Sequence, residues 1–443
     1  MQRPRIFTTY RGLPKEIYIL FFVQVINRFG DFVMPFLVLY LTTKLGYSVA
    51  TAGVFAMVGG LMVMPGSMLG GKFADWVGRN KTYVFAQTTA ALSLLLCVWV
   101  KTPELIIGLL LSSMFFNGAV RPCINAMVAD ILPPERRQLG YSLLYLGINI
   151  GVALGPMLAG FLFHNYLNWL FVGDAVTSFV VVTLVVFNIK ESRPDHLEPD
   201  QSLSDQSEPG RTRETELPET ANQAIQETNK QTTYQAQATI EATESGNLLQ
   251  VLLRRKYLLV FFGLNVLLSF VYTQFHFSVP LMMNHIFGQA AGPSRYGLLI
   301  SVNAVTVIFG TVPLIAMMKR FKPLTSIALA GILYAIGFGL YGFTAVLPLL
   351  MGSTIIWTLG EILAVTNYGT YLANRSPANF RARISSLSSI GWALGSASGT
   401  FLVGLFIEYR SITALWPLVS LVGLTGAMGL LVLSRWESKH LHL

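Results

Sequence analysis

The chain has 443 residues, 53% of them apolar or aromatic and only 12% charged, with 29 Phe, 39 Gly and a mean hydropathy of +0.55. Soluble domains carry about 25% charged residues, so this composition excludes a disordered chain, a disulfide scaffold and most soluble enzymes. The net charge is +9, and its placement along the chain carries more information than its size.

Apolar runs near 20 residues long match a hydrocarbon core about 30 Å thick. Twelve such runs are predicted, at 16–41, 50–71, 82–100, 104–129, 139–164, 168–189, 257–287, 297–318, 325–345, 348–374, 384–408 and 413–434. They do not alternate as barrel strands do, and lipid offers the backbone no other partners, so helices are expected. With a cytoplasmic N-terminus, 25 of the 31 Lys and Arg fall on the cytoplasmic side. That bias predicts a multi-pass plasma-membrane protein with both termini in the cytoplasm. Topology and anionic lipid account for the basic charge, so nucleic acid is not an expected partner. No short apolar stretch with a small-residue cleavage site opens the chain, and no cleaved signal peptide is expected. The only two cysteines, Cys97 and Cys123, lie within spans. No disulfide, metal site or cofactor is expected from them.

In span 1, Gln24, Asn27, Arg28, Asp31 and Pro35 recur at helical spacing, forming a polar stripe on an apolar span. Such a stripe faces a cavity or a partner helix. Arg28 and Asp31 form either a structural ion pair or a proton-exchanging pair. Between spans 2 and 3 stands Gly71-Lys-Phe-Ala-Asp75-Trp-Val-Gly78-Arg79-Asn-Lys81. Glycines 71 and 78 are expected to allow a tight turn. Asp75 can accept from helix-terminal amides, and Arg79 can pair with Asp130 at the end of span 4. Span 4 places Ser113, Asn117, Arg121 and Asn125 on one face, to line a cavity or tie helices together. In span 5, Gly151-Val-Ala-Leu-Gly155-Pro156-Met-Leu-Ala159-Gly160 sets small residues at i, i+4 for close helix approach. Asp174, at the start of span 6, reads as a helix-end tie.

Twelve of the 22 acids lie between Glu191 and Glu244. Residues 191–256 are read as a hydrophilic cytoplasmic linker, mostly disordered, with a short interfacial helix near 247–257. It separates an N-terminal half, 1–190, from a C-terminal half, 257–443. A shared offset of 244 relates Ala129, Pro133, Arg137, Gly151, Gly155 and Gly160 to Ala373, Pro377, Arg381, Gly395, Gly399 and Gly404. The halves therefore read as parallel repeats of a kind that supports rocking about a midplane site. In the second half, span 7 aligns Asn265, Ser269, Tyr272 and His276. Span 10 aligns Trp357, Glu361 and Tyr368. Glu361, deep in an apolar run, is a candidate for coupling or substrate contact, and its aromatic neighbours suit a flat or cationic ligand. His276 reads either as a satisfied hydrogen-bond partner or as a group titrating near neutral pH.

The chain resembles the major facilitator superfamily along all its spans, most specifically in the Gly71–Lys81 loop. The span 5 motif is similar to that of the superfamily's drug–proton antiporters. The arginine those antiporters place in span 4 is absent; Met114 stands there. The resemblance implies twelve helices in two pseudo-symmetric halves. It also implies a latch of Gly71, Asp75, Gly78, Arg79 and Asp130 that closes the cytoplasmic side. The expected activity is secondary transport rather than catalysis: proton-coupled efflux of a lipophilic or amphipathic small molecule by alternating access. Asp31 or Glu361 would carry the proton beside Arg28 and Arg121. Gln24, Asn27, Asn117, Asn125, Tyr272, His276, Trp357 and Tyr368 would line the cavity. Proton-coupled uptake of a peptide, sugar or organic anion is the alternative, with a non-transporting receptor or sensor as a reading of another class. The protein is expected to work as a monomer in the bilayer.

Overall fold

Apart from a break in the first, the apolar runs form helices that close their backbone hydrogen bonds within themselves, as a lipid environment demands. The computed structural model describes residues 10–191, 244–318, 320–377 and 380–440. α1 (Lys15–Phe29) breaks at residues 30–33 and resumes as an irregular helical segment over 34–44. α2 (Val49–Val77), α3 (Arg79–Leu96), α4 (Pro103–Ile131), α5 (Pro134–Asn165) and α6 (Leu167–Asn188) complete the first six. The helical run Lys256–Met318 is two spans, α7 (256–287) and α8 (289–318), because Gly288 turns the backbone with φ of 75°. α9 (Pro323–Leu340), α10 (Leu347–Arg375), α11 (Arg381–Tyr409) and α12 (Ile412–His440) follow. This is the expected all-α architecture of twelve membrane helices. Most of the expected linker lies outside the described residues. Its end forms a short helix, Leu248–Arg254, started by a reciprocal Asn247–Gln250 capping box.

Helix starts follow local chemistry. Proline opens α4, α5 and α9, where its missing N–H costs no hydrogen bond. Ser48 caps α2 by accepting from the Thr51 amide at 3.2 Å. The passage from α2 to α3 is a single residue, Gly78, at φ 120°, a conformation that favours glycine. Gly71 corrects the sequence reading. It lies inside α2, and a methyl group added there would meet no atom within 4 Å, so the turn does not depend on it.

Span 1 is a second correction. A continuous helix would carry one polar stripe from Gln24 to Pro35, but the break after Phe29 ends that stripe. The break is packed rather than loose. Any side chain at Gly30 would collide with Thr177 of α6, and Asp174 of α6 accepts from the Val33 amide at 3.5 Å. A lipid-embedded break needs such partners for its freed backbone groups.

Helices in lipid gain little from apolar burial and pack through close approach. α5 and α11 are where this is clearest. Gly151 and Gly155 lie against the α1 backbone at Val25 and Phe29; Gly395 and Gly399 lie against α7 at Val266 and Phe270. Further along, the same two helices cross to the other half. Gly160 meets Pro293 and Ser294 of α8, and Gly404 meets Val49 and Ala50 of α2. Gly297 of α8 meets Pro156, and Gly53 of α2 meets Thr400. The contacts between the halves are related by the same offset of 244, so the repeat extends to α2 and α8 and the interface between halves is pseudo-two-fold.

These four crossings all lie away from the face that carries the Lys- and Arg-rich loops, here called the basic face. Toward the basic face, α2 exposes Met68, Phe73 and Trp76, α11 exposes Ile390 and Trp392, and α4 exposes Arg121 and Asn125. Close contacts at one face and exposed polar and aromatic side chains toward the other fit a cavity between the halves that opens to the basic face. Because Gly155 touches backbone, Gly155→Leu is expected to lower the thermal midpoint of the purified protein strongly. Gly71→Ala should leave it within error of the parent, as read by a detergent-based melting assay.

Candidate functional site

Glu361 sits half-way along α10 and is held by two neutral donors. Tyr272 Oη of α7 donates to one carboxyl oxygen at 2.8 Å, and Asn303 Nδ2 of α8 donates to the other at 2.7 Å. Asn303 also reaches Thr358 Oγ1, one turn before Glu361, at 3.0 Å. Three helices thus converge on one carboxyl group. Among the described residues, Glu361 has no ion-pair partner, although an embedded charge is costly without one. It is half-buried rather than sealed, so the group faces the cavity.

An aromatic shell backs this carboxyl. Trp357 stacks on Phe338 at 5.1 Å and meets Phe275 at 4.4 Å, while Tyr272 lies 5.2 Å from Trp392. Trp357 is fully buried. The sequence reading places it on the cavity wall; the structure corrects this, since helical rotation turns it toward α9 and it supports the wall from behind. Gln24 is likewise buried in the packing of α1. Tyr272 and Tyr368 are half-buried, with Tyr368 packed on Phe261 at 5.2 Å. His276 is exposed one turn beyond Tyr272, with its ring 6.2 Å from that tyrosine.

The other wall belongs to the first half. Asn117, Arg121 and Asn125 are all exposed on one stripe of α4, and Asn117 donates to Ser113 at 3.3 Å. Among the described residues, Arg121 has no ion-pair partner. Tyr145 of α5 is exposed and lies within electrostatic range of Glu361 across the cavity. In α1, Arg28 Nη1 pairs with Asp31 Oδ2 at 3.2 Å, both partly exposed, with Asn27 half-buried beside them. Among the described residues, one wall therefore presents a carboxyl without an ion-pair partner and the other a guanidinium without one.

Sequence reasoning missed Asn303, Thr358 and Tyr145. Asn303 carries a usable signal, an amide in the middle of the otherwise apolar span 8. Tyr145 carries none, since tyrosine at a helix position is compatible with lipid, core or cavity.

At the basic face, Arg79 Nε lies 2.9 Å from Asp130 and its Nη2 lies 3.4 Å from Asp75. Arg79 is buried, whereas the Asp75 side chain is 69% exposed. Glu191, at the end of the first six helices, accepts from the Asn80 and Lys81 amides at 3.0 Å each and so caps α3. Among the described residues, Asp75 pairs with Arg79 of its own half and with no charged group of the other, in keeping with a cavity open on that side. The span 5 motif has a structural role that joins two places. Gly151 and Gly155 seat the α1 break, while Pro156 and Gly160 meet α8.

Comparison with known proteins agrees with this architecture. The family model of the Major Facilitator Superfamily matches residues 20–400 and 272–442. The uncharacterized MFS-type transporter YqjV of Bacillus subtilis is 25% identical over 85% of this chain and 82% of its own length. The Na(+), Li(+), K(+)/H(+) antiporter of Planococcus maritimus is 20% identical over 82% of each chain. The crystal structure of peptide transporter POT in complex with sulfate superposes with a TM-score of 0.72 at 18% identity, covering 97% of this chain and 96% of that one. A structure of nucleoside transporter NupG superposes with a TM-score of 0.72 at 13% identity, covering 95% and 99%.

The geometry around Glu361 makes a local prediction. Tyr272→Phe and Asn303→Leu each remove one donor to an embedded carboxyl, and a lost hydrogen bond to such a group costs about 1.5–3 kcal/mol. Each variant should fold, measured by monodisperse elution, and each should transport roughly tenfold or more slowly than the parent in vesicles. A twelve-helix chain with this cavity, matched from end to end by the family model, belongs to the Major Facilitator Superfamily and is a secondary transporter of that type.

Proposed function

We propose that this protein exports a lipophilic or amphipathic small molecule in exchange for protons, by alternating access in the plasma membrane. The observation that supports the reading most is Glu361, a cavity-facing carboxyl held by two neutral donors and accompanied by no cation among the described residues. A carboxyl in that setting can hold a proton, or release it to receive a cationic group, within one site. Competition between the two would couple substrate to proton. The aromatic surroundings of Tyr272, Trp392 and Tyr145 suit a large, partly apolar ligand. Export is the direction favoured by the antiporter-like motif of α5, and by a relative whose name describes cation–proton antiport. The basic face would be cytoplasmic, in line with the positive-inside bias, and the protein would work as a monomer. Asp31, paired with Arg28, is the second candidate for the coupling group.

A second reading is proton-coupled uptake of a peptide or organic anion. Arg121 favours it, since an exposed guanidinium with no ion-pair partner among the described residues suits a substrate with a carboxylate, and the fold neighbours include a peptide transporter.

Reconstituted protein with a pH-sensitive dye inside the vesicles tests both readings. Export predicts that compounds from an amphipathic panel drive proton movement, and that Glu361→Gln lowers it by about tenfold or more while binding persists. Uptake predicts instead that di- and tripeptides or organic anions do so, and that Arg121→Gln removes the effect. Replacing sodium by choline distinguishes sodium from proton coupling. Absence of proton movement with every compound, in parent protein that binds them, would overturn the coupling.

A further inference from the structure

α2 and α11 run antiparallel, each of 29 residues and about 43 Å long at 1.5 Å per residue. Their contact carries a charged link at the shut face. Glu408, near the end of α11, accepts from the Ala50 amide of α2 at 3.1 Å through Oε2. Ala50 is the second residue of α2, so this amide is one of the four that a helix start leaves without a partner. Ser48 satisfies the next one, at Thr51. A carboxylate on a helix start is also favoured by the macrodipole. Glu408 therefore caps a helix of the other half, 358 residues away in sequence.

The pseudo-two-fold relation isolates this contact. Gly404 with Val49 and Ala50 corresponds to Gly160 with Pro293 and Ser294. The position that corresponds to Glu408 is His164, which brings no carboxylate, and the Ser294 hydroxyl turns back to Ala291 of its own helix. Among the described residues, a carboxylate cap is thus present on the α2–α11 pair and not at the corresponding place on the α5–α8 pair.

The far end of the α2–α11 pair has the reciprocal parts. Asp75 stands near the end of α2, with its side chain 69% exposed. α11 begins after Phe380, a residue whose side chain has no oxygen with which to cap. Among the described residues the two ends are in opposite conditions: Glu408 is seated on a helix start, and Asp75 pairs only with Arg79 of its own half.

We propose that Glu408 is a positioning residue of the transport cycle, holding the face opposite the basic one shut by capping α2. At the other end, the latch that the family resemblance already implies includes Asp75 and holds the basic face shut in the alternate state. Because the two helices cross as rigid bodies, seating one carboxylate withdraws the other, and the pair works as a two-ended latch. The proposal rests on alternating access but not on the identity of substrate or coupling ion.

The test measures the conformational distribution of the full chain in nanodiscs, without substrate or gradient, using distance probes across each face. Glu408→Gln should shift the population toward the form shut at the basic face by roughly two- to fivefold, and Glu408→Asp should shift it less. Asp75→Asn should shift it the other way, and the double variant should return near the parent. Ala50→Pro removes the donor instead of the acceptor at a position where a first helical turn accepts proline. It should reproduce the Glu408→Gln shift, and it serves if that variant fails to fold. An unchanged distribution in both Glu408→Gln and Ala50→Pro, or a shift in the same direction as Asp75→Asn, overturns the proposal. Because no proton is read, failure of the export reading would leave this result intact.

Discussion

The backbone-to-backbone approach made at glycines of α5 and α11 is the constraint on which the remaining structure depends. In lipid, one apolar helix has little reason to prefer another helix to the surrounding tails. Close approach supplies the preference, through dispersion and dipole contacts that a larger side chain would hold apart. Gly151, Gly155 and Gly160 spend one helix on two partners, α1 in their own half and α8 in the other. Gly395, Gly399 and Gly404 do the same for α7 and α2. Each of these two helices is thus a shared wall, belonging to one half and bearing on the other. Movement of one half against the other must pass through them.

The same helices position the polar groups. α5 seats the α1 break, and that break puts Asp31 and Arg28 together as a pair while Asp174 of α6 serves the freed amide at Val33. Embedded charge is thus divided into two kinds. Asp31 and Asp174 are answered locally, one by a guanidinium and one by backbone. Glu361 and Arg121 face the cavity without a charged partner among the described residues, and a transporter needs groups that are left for something which enters and leaves. The division between satisfied and unsatisfied charge separates framework from site more clearly than burial does.

The repeat is close in geometry and loose in chemistry. The glycine crossings obey a single offset across the pseudo-two-fold, yet the charged features do not. The basic-face motif of Gly78, Arg79 and Asp130 belongs to the first half. In the second half the comparable place is tied differently, by Arg375 on Glu437 at 2.9 Å, with Tyr371 also donating to Glu437. Symmetric packing lets the halves rock, and asymmetric chemistry lets one wall be basic and amide-rich while the other is acidic and aromatic.

Twelve helices, the excess of basic residues on one side, the two-fold repeat and the Gly71–Lys81 motif were legible in the sequence. Each depends on composition or spacing along one helix, and lipid removes the competing folds. Helix azimuth was not legible. In a soluble helix the polar side marks solvent, but here lipid and protein core are both apolar, so a residue's identity does not say which it faces. Trp357 and Glu361 share a helical stripe, yet one supports the wall and the other lines it. Asn303 joined Glu361 only when α8 was placed beside α10. Gly71 looks like a turn residue and lies within a helix, since Gly78 alone supplies the positive φ between α2 and α3. The break at Gly30 also waited on tertiary contact, because a glycine after Phe29 is compatible with a helix until α6 provides Asp174 and Thr177 to hold the open form. Composition and spacing were enough to count the membrane crossings and to name the residues that carry charge within them. Which of those charges are answered was set by the packing, because an answer depends on neighbours brought from other helices.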